Sequence, residues 1–160
     1  PPGCDSLAAI AEDAQKALKP AHQRGGNYLV MEGPQFSTRA ESLLYRAAGL
    51  DVIGMTAMPE AALAREAELC YQTVAMVTDF DAWHGEHDAV DVAQVLEVIH
   101  KNVANAKALV VEIAIRLAAR TGSCNSGCGK ALEHAIITGK SVWPEETVKR
   151  LSVVAGRVLG

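Results

Sequence analysis

Apolar residues recur every three to four positions in several segments of the chain, a pattern that predicts amphipathic helices. The longest of these segments covers 90–117, where the apolar positions fall on one helical face. A short, sharply bounded segment, 5–18, shows the same spacing and ends before Pro20. The predicted helices cover 5–18, 38–48, 60–68, 90–117, 130–138 and 144–159.

Polar residues and prolines mark where several of these helices begin. Ser37 or Thr38 can cap the second helix, and Glu41 stands at the capping-box position for Thr38. Pro59 and Pro144 each suit the first turn of a helix, where the missing N–H costs no hydrogen bond.

Three shorter runs are rich in β-branched and apolar residues and are predicted as strands, at 28–31, 51–55 and 71–77. Strands alternate with helices, which is typical of an α/β fold with a mixed or parallel central sheet flanked by helices. In such sheets ligands bind where the strands end and the helices begin. The candidate site therefore comprises the three strand ends, at 32–36, 54–56 and 78–81.

The third strand end carries two acids, Asp79 and Asp81, two positions apart. On a strand, both would project from the same side. Two carboxylates held so close resist ionising together, so one can keep its proton near neutral pH and donate it. A solvated loop, in which Asp is common, is the simpler alternative.

The composition is that of an ordinary globular domain, with 160 residues, 49% hydrophobic and 21% charged. A net charge of −4 argues against binding to nucleic acid or anionic lipid, and no apolar run reaches the roughly 18 residues of a membrane span. Four cysteines are too few for a disulfide scaffold and favour the cytoplasm. The start at Pro1-Pro2, without Met, is expected for a processed chain or a fragment.

The segments 31–42 (MEGPQFSTRAES) and 51–84 (DVIGMTAMPEAALAREAELCYQTVAMVTDFDAWH) resemble the trimeric purine nucleoside phosphorylases, specifically their 5′-methylthioadenosine phosphorylase branch. The resemblance implies a nucleoside phosphorylase-like fold and phosphorolysis of 5′-methylthioadenosine in purine and methionine salvage. Inorganic phosphate would be the co-substrate, with no further cofactor. A homotrimer of complete units is expected.

Members of that family are considerably longer, and their N-terminal half carries a Gly-rich phosphate loop and an Arg-His pair that this sequence lacks. The chain is therefore expected to be the C-terminal portion of a single phosphorylase domain, with a strand and helix core at about 28–84 and a helical region at about 90–160. Either a complementary N-terminal half, as a separate chain of one precursor, completes it, or the fragment is inactive alone.

The resemblance also implies roles for the two acids. Asp79 would donate a proton to purine N7 as negative charge accumulates on the departing base, and Asp81 would accept from the 6-amino group. Relatives that prefer 6-oxopurines carry Asn at the base-reading position. Two Asp residues therefore favour adenine over guanine or hypoxanthine.

Further contacts follow from the same resemblance. Phe36 would pack on the purine face, although an apolar anchor at a helix start is the alternative. Met55 would flank the ribose, and Thr56 would contact phosphate at a loop leading into a helix. Ile53 and Gly54 would line the base side, with Gly54 standing where the better-known family sequence has Asn.

Val92 and Val95, on the first turns of the long helix, would form an apolar wall around the 5′-methylthio group, with ordinary helix packing as the alternative. Two other functions remain open: a phosphorylase for a broader set of 6-aminopurine nucleosides or for methylthioinosine, and a non-catalytic nucleoside-binding module.

The sequence predicts no metal site. Cys124 and Cys128 are spaced as Cys-Asn-Ser-Gly-Cys in a loop and could form a local disulfide, but cytoplasmic thiols are more often reduced. A four-ligand site would need two more ligands nearby, and His134 is distant in the sequence. Cys70, at the start of a predicted strand, is interpreted as apolar filler.

Overall fold

A computed structural model describes residues 3–84 and 92–160. Helices dominate the described residues, with one small sheet among them. The elements are α1 (Asp5–Leu18), β1 (Tyr28–Val30), α2 (Arg39–Ala47), β2 (Val52–Gly54), α3 (Ala57–Glu66), α4 (Val92–Ala118) and α5 (Glu145–Leu159), with short 3-10 turns at Cys128–Lys130 and Lys140–Val142.

β1 and β2 pair in parallel, with Tyr28 opposite Val52 and Val30 opposite Gly54. The Met31 N–H donates to the Gly54 carbonyl at 2.9 Å and extends the pairing past the end of β1. Parallel strands require a crossover connection, and α2 lies in the connection between them. The predicted α/β class and parallel pairing are confirmed for these strands.

The capping box at the start of α2 is present as predicted. The Glu41 N–H donates to Thr38 Oγ1 at 3.3 Å, and the Thr38 N–H donates to Glu41 Oε2 at 2.7 Å. These two bonds satisfy backbone donors that have no partner inside the helix. They fix the direction in which α2 leaves the loop that follows β1.

The prediction of a strand at 71–77 is wrong. A strand needs a ladder of backbone partners, and β1 with β2 form the only sheet among the residues that the structure describes. The Tyr71 carbonyl instead accepts from the Cys4 N–H at 2.8 Å, and the Val77 carbonyl accepts from the Asn102 side-chain amide at 2.9 Å. These partners replace a strand ladder at the two ends of the segment.

The prediction of a helix at 130–138 is also wrong, since this stretch forms a 3-10 turn followed by further turns. Its backbone bonds link residues three apart, as in Ala131 N–H to the Cys128 carbonyl at 3.1 Å. The Leu132 N–H donates to the Glu68 carboxylate at 3.0 Å instead of along a helix. A distant side chain therefore interrupts the local helical pattern.

The chain divides into two compact units. In its described part, the first unit comprises 3–9, 58–73 and 121–160, and the second comprises 10–57, 74–84 and 92–120. The buried residues are mostly small. They are Cys4, Ala61, Cys128 and Ala155 in the first unit, and Ala14, Ser42, Ala57 and Leu109 in the second.

Many large apolar side chains remain on the surface in both units. Ile137 is 97% exposed and Val153 92% exposed in the first unit, while Val110, Val111 and Ile115 are exposed on α4 in the second. Contiguous exposed apolar surface is typical of interaction sites. No helix within 3–84 and 92–160 combines the length and apolar character that crossing a membrane requires.

Glu68 joins parts of the first unit that are distant in sequence. Its carboxylate accepts from Nε of Arg157 at 2.7 Å, from Nη2 of the same residue at 2.6 Å and from the Leu132 N–H at 3.0 Å. The Arg157 guanidinium, followed by the Leu132 N–H, lowers the pKa of Glu68 to about 2. The folded protein therefore favours the ionised form of the Glu68 carboxylate.

Replacing Glu68 with Gln should lower the stability of the protein near neutral pH. Because the folded-state pKa lies below the ordinary value of 4.5, the stabilisation is present above about pH 4.5 and is lost as the pH falls toward 2. Melting temperatures of the wild type and Glu68→Gln should therefore converge over this range. Glu66→Gln, at an exposed position of α3, is the control and should change little. A difference independent of pH would contradict the role of the ionised carboxylate.

Candidate functional site

Gly33, in the bend after β1, lies against Met55, the residue that directly follows β2. Gly33 has a positive φ of 71°, a conformation that glycine adopts without strain. A Cβ placed on Gly33 would lie only 3.0 Å from Met55 Sδ. The absence of a side chain thus lets the Met55 thioether pack directly on the bend that follows β1.

Tyr28 is a residue of this region that the sequence analysis did not identify. Its hydroxyl occupies the space where a side chain at Gly54 would begin, and a Cβ there would also lie 2.8 Å from Tyr28 Cζ. The position that carries Asn in the better-known family sequence is therefore filled here from the neighbouring strand. The register pairs Gly54 with Val30, so Tyr28 reaches Gly54 diagonally from two positions away on the neighbouring strand, within reach of a long aromatic side chain.

The acidic segment follows an irregular backbone instead of a strand. Asp79 is exposed, and its Oδ1 accepts from the Thr78 hydroxyl at 2.5 Å. Asp81 is half-buried, and its carbonyl accepts from the His84 N–H at 3.1 Å. Because no strand forms, strand alternation no longer places the two side chains on one side. Within 3–84 and 92–160 no hydrogen bond joins the two carboxylates, so a shared proton stays a prediction.

An aromatic cluster beside the two acids connects this segment to α2. The Phe80 ring stacks on the His84 ring at 4.6 Å between centroids, and Trp83 meets Phe80 edge-on at 5.8 Å. The Trp83 N–H donates to the buried Ser42 hydroxyl at 3.1 Å, and the Arg46 guanidinium lies 3.9 Å above the indole. Ser42 and Arg46, one helical turn apart on α2, therefore position the loop that carries the acids.

The remaining predicted site residues are accessible. Phe36 is 84% exposed, which does not fit its interpretation as an apolar anchor within this chain. Thr56 is exposed immediately before α3, while Ile53 and Val95 are half-buried. The side chain of Val92 lies outside the described residues. The structure brings Met55 to Gly33, and the described contacts do not connect Phe36, Thr56 or Val95 to the two acids.

The structure also assembles a cluster that the sequence analysis missed. The Sγ atoms of Cys4, Cys70, Cys124 and Cys128 all lie within 4.8 Å of one another, and all four thiols are free. A four-ligand metal site at the loop with Cys124 and Cys128 needs two further ligands, and the structure brings Cys4 and Cys70 there from segments distant in sequence. The even number of cysteines was the available signal, but their spacing gives no indication of which fold would bring them together.

Burial and hydrogen bonds within the cluster shift the pKa values of Cys70, Cys124 and Cys128 in different directions. Burial acts to raise the pKa of Cys124, but the Ser126 N–H and the neighbouring thiols lower it to about 5. Although Cys70 as a whole is exposed, desolvation of its sulfur, followed by its contacts with Cys124 and Cys4, raises its pKa to about 12. Burial and the Cys4 contact also raise the pKa of Cys128. Among Cys70, Cys124 and Cys128, the lowered pKa thus favours the thiolate form at Cys124.

Comparison with known proteins identifies the family. The model of the phosphorylase superfamily matches residues 1–115. The chain belongs to the phosphorylase superfamily. Residues 1–115 include every position at which the sequence analysis placed a site residue, so family membership and candidate site concern the same part of the chain.

Members of the superfamily with closely similar sequences are methylthioadenosine phosphorylases. The S-methyl-5′-thioadenosine phosphorylase of Cereibacter sphaeroides is 48% identical over 158 residues, which is 99% of this chain and 54% of that protein. This chain therefore spans about half the length of the curated relatives that it matches. The predicted resemblance to this branch is confirmed.

Solved structures in the superfamily confirm the nucleoside phosphorylase-like fold. A methylthioadenosine phosphorylase from an antarctic soil metagenomic library superposes with a TM-score of 0.85 at 38% identity, covering 96% of this chain and 54% of the other. A mutant adenosine/methylthioadenosine phosphorylase of Schistosoma mansoni in complex with methylthioadenosine gives 0.74 at 32% identity, covering 84% and 51%.

Gly54→Ala should destabilise the protein by about 1–3 kcal/mol, because the new Cβ overlaps the Tyr28 hydroxyl. In a Tyr28→Leu background the same substitution should cost much less, giving a coupling of roughly 1 kcal/mol or more in a double-mutant cycle. Urea denaturation of the four proteins measures this coupling.

Gly129→Ala is the matched control for this cycle. A Cβ on Gly129 would meet no heavy atom of the described chain within 4 Å, so its effect should be small and independent of residue 28. Equal costs of Gly54→Ala in the two backgrounds would contradict the packing of Tyr28 against Gly54.

Proposed function

We propose that this chain is the C-terminal half of the catalytic unit of a 5′-methylthioadenosine phosphorylase. The similarity to the Cereibacter sphaeroides protein along 99% of the chain carries this proposal. The similarity in fold to a phosphorylase solved with methylthioadenosine supports the same substrate.

The reaction is phosphorolysis. An oxygen of inorganic phosphate forms a bond to C1′ of the methylthioribosyl group as the bond from C1′ to purine N9 breaks. The electron pair of the broken bond passes to the purine, which takes up a proton and leaves as adenine, while 5-methylthioribose 1-phosphate remains. Catalysis requires stabilising an oxocarbenium-like sugar and the negative charge that develops on the base.

The two acids serve the departing base. Asp79, in its protonated form, donates to N7 as charge accumulates on the purine, and Asp81 accepts from the 6-amino group. The Thr78 hydroxyl donates to Oδ1 of Asp79, which leaves Oδ2 as the oxygen to donate to the base. The contacts of Trp83 with Ser42 and Arg46 hold this segment for both acids.

The other site residues bind and orient the substrate. Phe36 packs on the purine face, and its exposure in this chain leaves the ring available for that contact. Ile53 and Gly54 line the base side, with Tyr28 filling the space above Gly54. Met55, fixed against Gly33, flanks the ribose.

Two further groups of residues lie at the other ends of the substrate. Val92 and Val95 provide an apolar wall for the methylthio group. The Thr56 hydroxyl donates to phosphate, which also needs cationic groups from outside this chain.

A complementary N-terminal half supplies the rest of the site. The relatives are about twice as long as this chain, and α4 carries exposed apolar residues at Val103, Val110 and Val111 that another polypeptide would cover. The complete units form a homotrimer in the cytoplasm, acting in purine and methionine salvage.

A broader preference among 6-aminopurine nucleosides is the second candidate function. The Schistosoma mansoni neighbour is an adenosine/methylthioadenosine phosphorylase, so a similar fold accepts a 5′-hydroxyl as well. The apolar pair Val92 and Val95 favours the methylthio group, since a buried hydroxyl without a partner is costly. The ratio of kcat/KM for methylthioadenosine and adenosine separates the two functions.

Replacing Asp79 with Asn should lower kcat for methylthioadenosine by about 10²–10⁴-fold while KM changes little, because protonation of the base belongs to the transition state. Steady-state kinetics of the assembled protein, with its N-terminal half, measures both constants. Asp13→Asn, which removes an exposed acid on α1, is the matched control. Equal losses in kcat and in substrate affinity, or no loss, would remove Asp79 from the acid role.

Replacing Thr56 with Val should raise the KM for phosphate by about 10- to 100-fold, the usual cost of a lost hydrogen bond to a charged group. The KM for methylthioadenosine should stay near the wild-type value at saturating phosphate. Varying each substrate in turn tests this directly. A change confined to the nucleoside would contradict the phosphate contact.

A further inference from the structure

The four-cysteine cluster of the first unit has the dimensions of a site for one metal ion. A tetrahedral zinc ion with Zn–S bonds of about 2.3 Å places its sulfurs about 3.8 Å apart. The sulfurs of Cys4 and Cys124 are 3.5 Å apart, and all four lie within 4.8 Å of one another. A disulfide requires about 2.05 Å between sulfurs, and a multi-iron cluster holds its cysteine sulfurs farther apart.

N–H groups surround these sulfurs as they do in metal-thiolate sites. Such donors offset the negative charge of the thiolates and orient them toward the ion. The bonds are Leu7 N–H to Cys4 Sγ at 3.4 Å, Ser126 N–H to Cys124 Sγ at 3.3 Å and Arg65 Nη1 to Cys128 Sγ at 3.9 Å. Three of the four sulfurs thus have a donor in place.

A turn and two hydrogen bonds bring together the segments that carry the four cysteines. Gly127, with a positive φ of 70°, turns the chain between Cys124 and Cys128. Ser126 Oγ accepts from the Ser6 N–H at 3.1 Å and holds this loop to the start of α1. The Cys4 N–H donates to the Tyr71 carbonyl at 2.8 Å, which places the segments carrying Cys4 and Cys70 side by side.

We propose that Cys4, Cys70, Cys124 and Cys128 bind a single structural zinc ion. Zinc prefers four thiolates in tetrahedral geometry and needs no redox partner. Each thiol that coordinates the ion releases its proton to solvent. The ion joins the start of α1, the segment after α3 and the loop at 121–129, and it has no part in the phosphorolysis proposed for the strand-end residues. A metal site was not expected from the sequence.

The direct test is elemental analysis of the full protein, purified under reducing conditions without chelator. One zinc per chain is expected, with the four thiols slow to react with a thiol reagent until a chelator removes the ion. Removal should also lower the melting temperature. Four free thiols without metal, two disulfides seen as a mass four hydrogens lighter, or iron in place of zinc would each overturn the proposal.

Variants and cobalt substitution locate the ion. Cys124→Ser should weaken zinc binding by more than about 100-fold, since even partners of the ligands are worth 10–100-fold. Asn125→Ser, at an exposed position in the same loop, should retain the metal. If Cys124→Ser does not fold, the cobalt-loaded wild type still decides the matter. Intense thiolate-to-cobalt charge transfer with tetrahedral d–d bands is expected, and a spectrum of oxygen-ligated octahedral cobalt would contradict the site.

Discussion

The parallel pairing of β1 with β2 is the interaction on which the candidate site depends. Backbone bonds along the pair, continued by the Met31 N–H to the Gly54 carbonyl, bring both strand ends to one edge. There Met55 packs against Gly33, where a Cβ would come within 3.0 Å of the Met55 sulfur and force it to shift. Met55, proposed to flank the ribose, therefore owes its position beside the bend after β1 to the backbone pairing.

Local signals in the sequence predicted the features that depend on few residues. The Thr38 capping box, the helical turns of α3 that begin at Pro59 after the non-helical Met58, and the two paired strands all follow from neighbouring positions, and the structure contains them. Long-range partners explain the failures. The helix expected at 130–138 is interrupted because Leu132 bonds Glu68, 64 positions away, and the 71–77 strand lacks a neighbouring strand. The cysteine cluster joins residues up to 124 positions apart, from Cys4 to Cys128, beyond any spacing rule.

The site residues divide by the kind of information that predicts them. The position of the two acids after an apolar run marked them as candidates, and the family resemblance supplied their roles and those of Phe36, Met55 and Thr56, since such roles follow from motifs and not from periodicity. Tyr28, Ser42 and the aromatic neighbours of the acids became visible only in three dimensions. The exposed apolar residues of α4 belong to the same account, because the complementary half of the proposed assembly would cover them.

The most direct test is release of adenine from 5′-methylthioadenosine by this chain assembled with its N-terminal half. The account predicts adenine and 5-methylthioribose 1-phosphate in equal amounts, only when phosphate is present, and a higher kcat/KM than for adenosine or methylthioinosine. A folded assembly that binds methylthioadenosine yet releases no adenine with phosphate would show a binding module instead, and would contradict the proposed reaction.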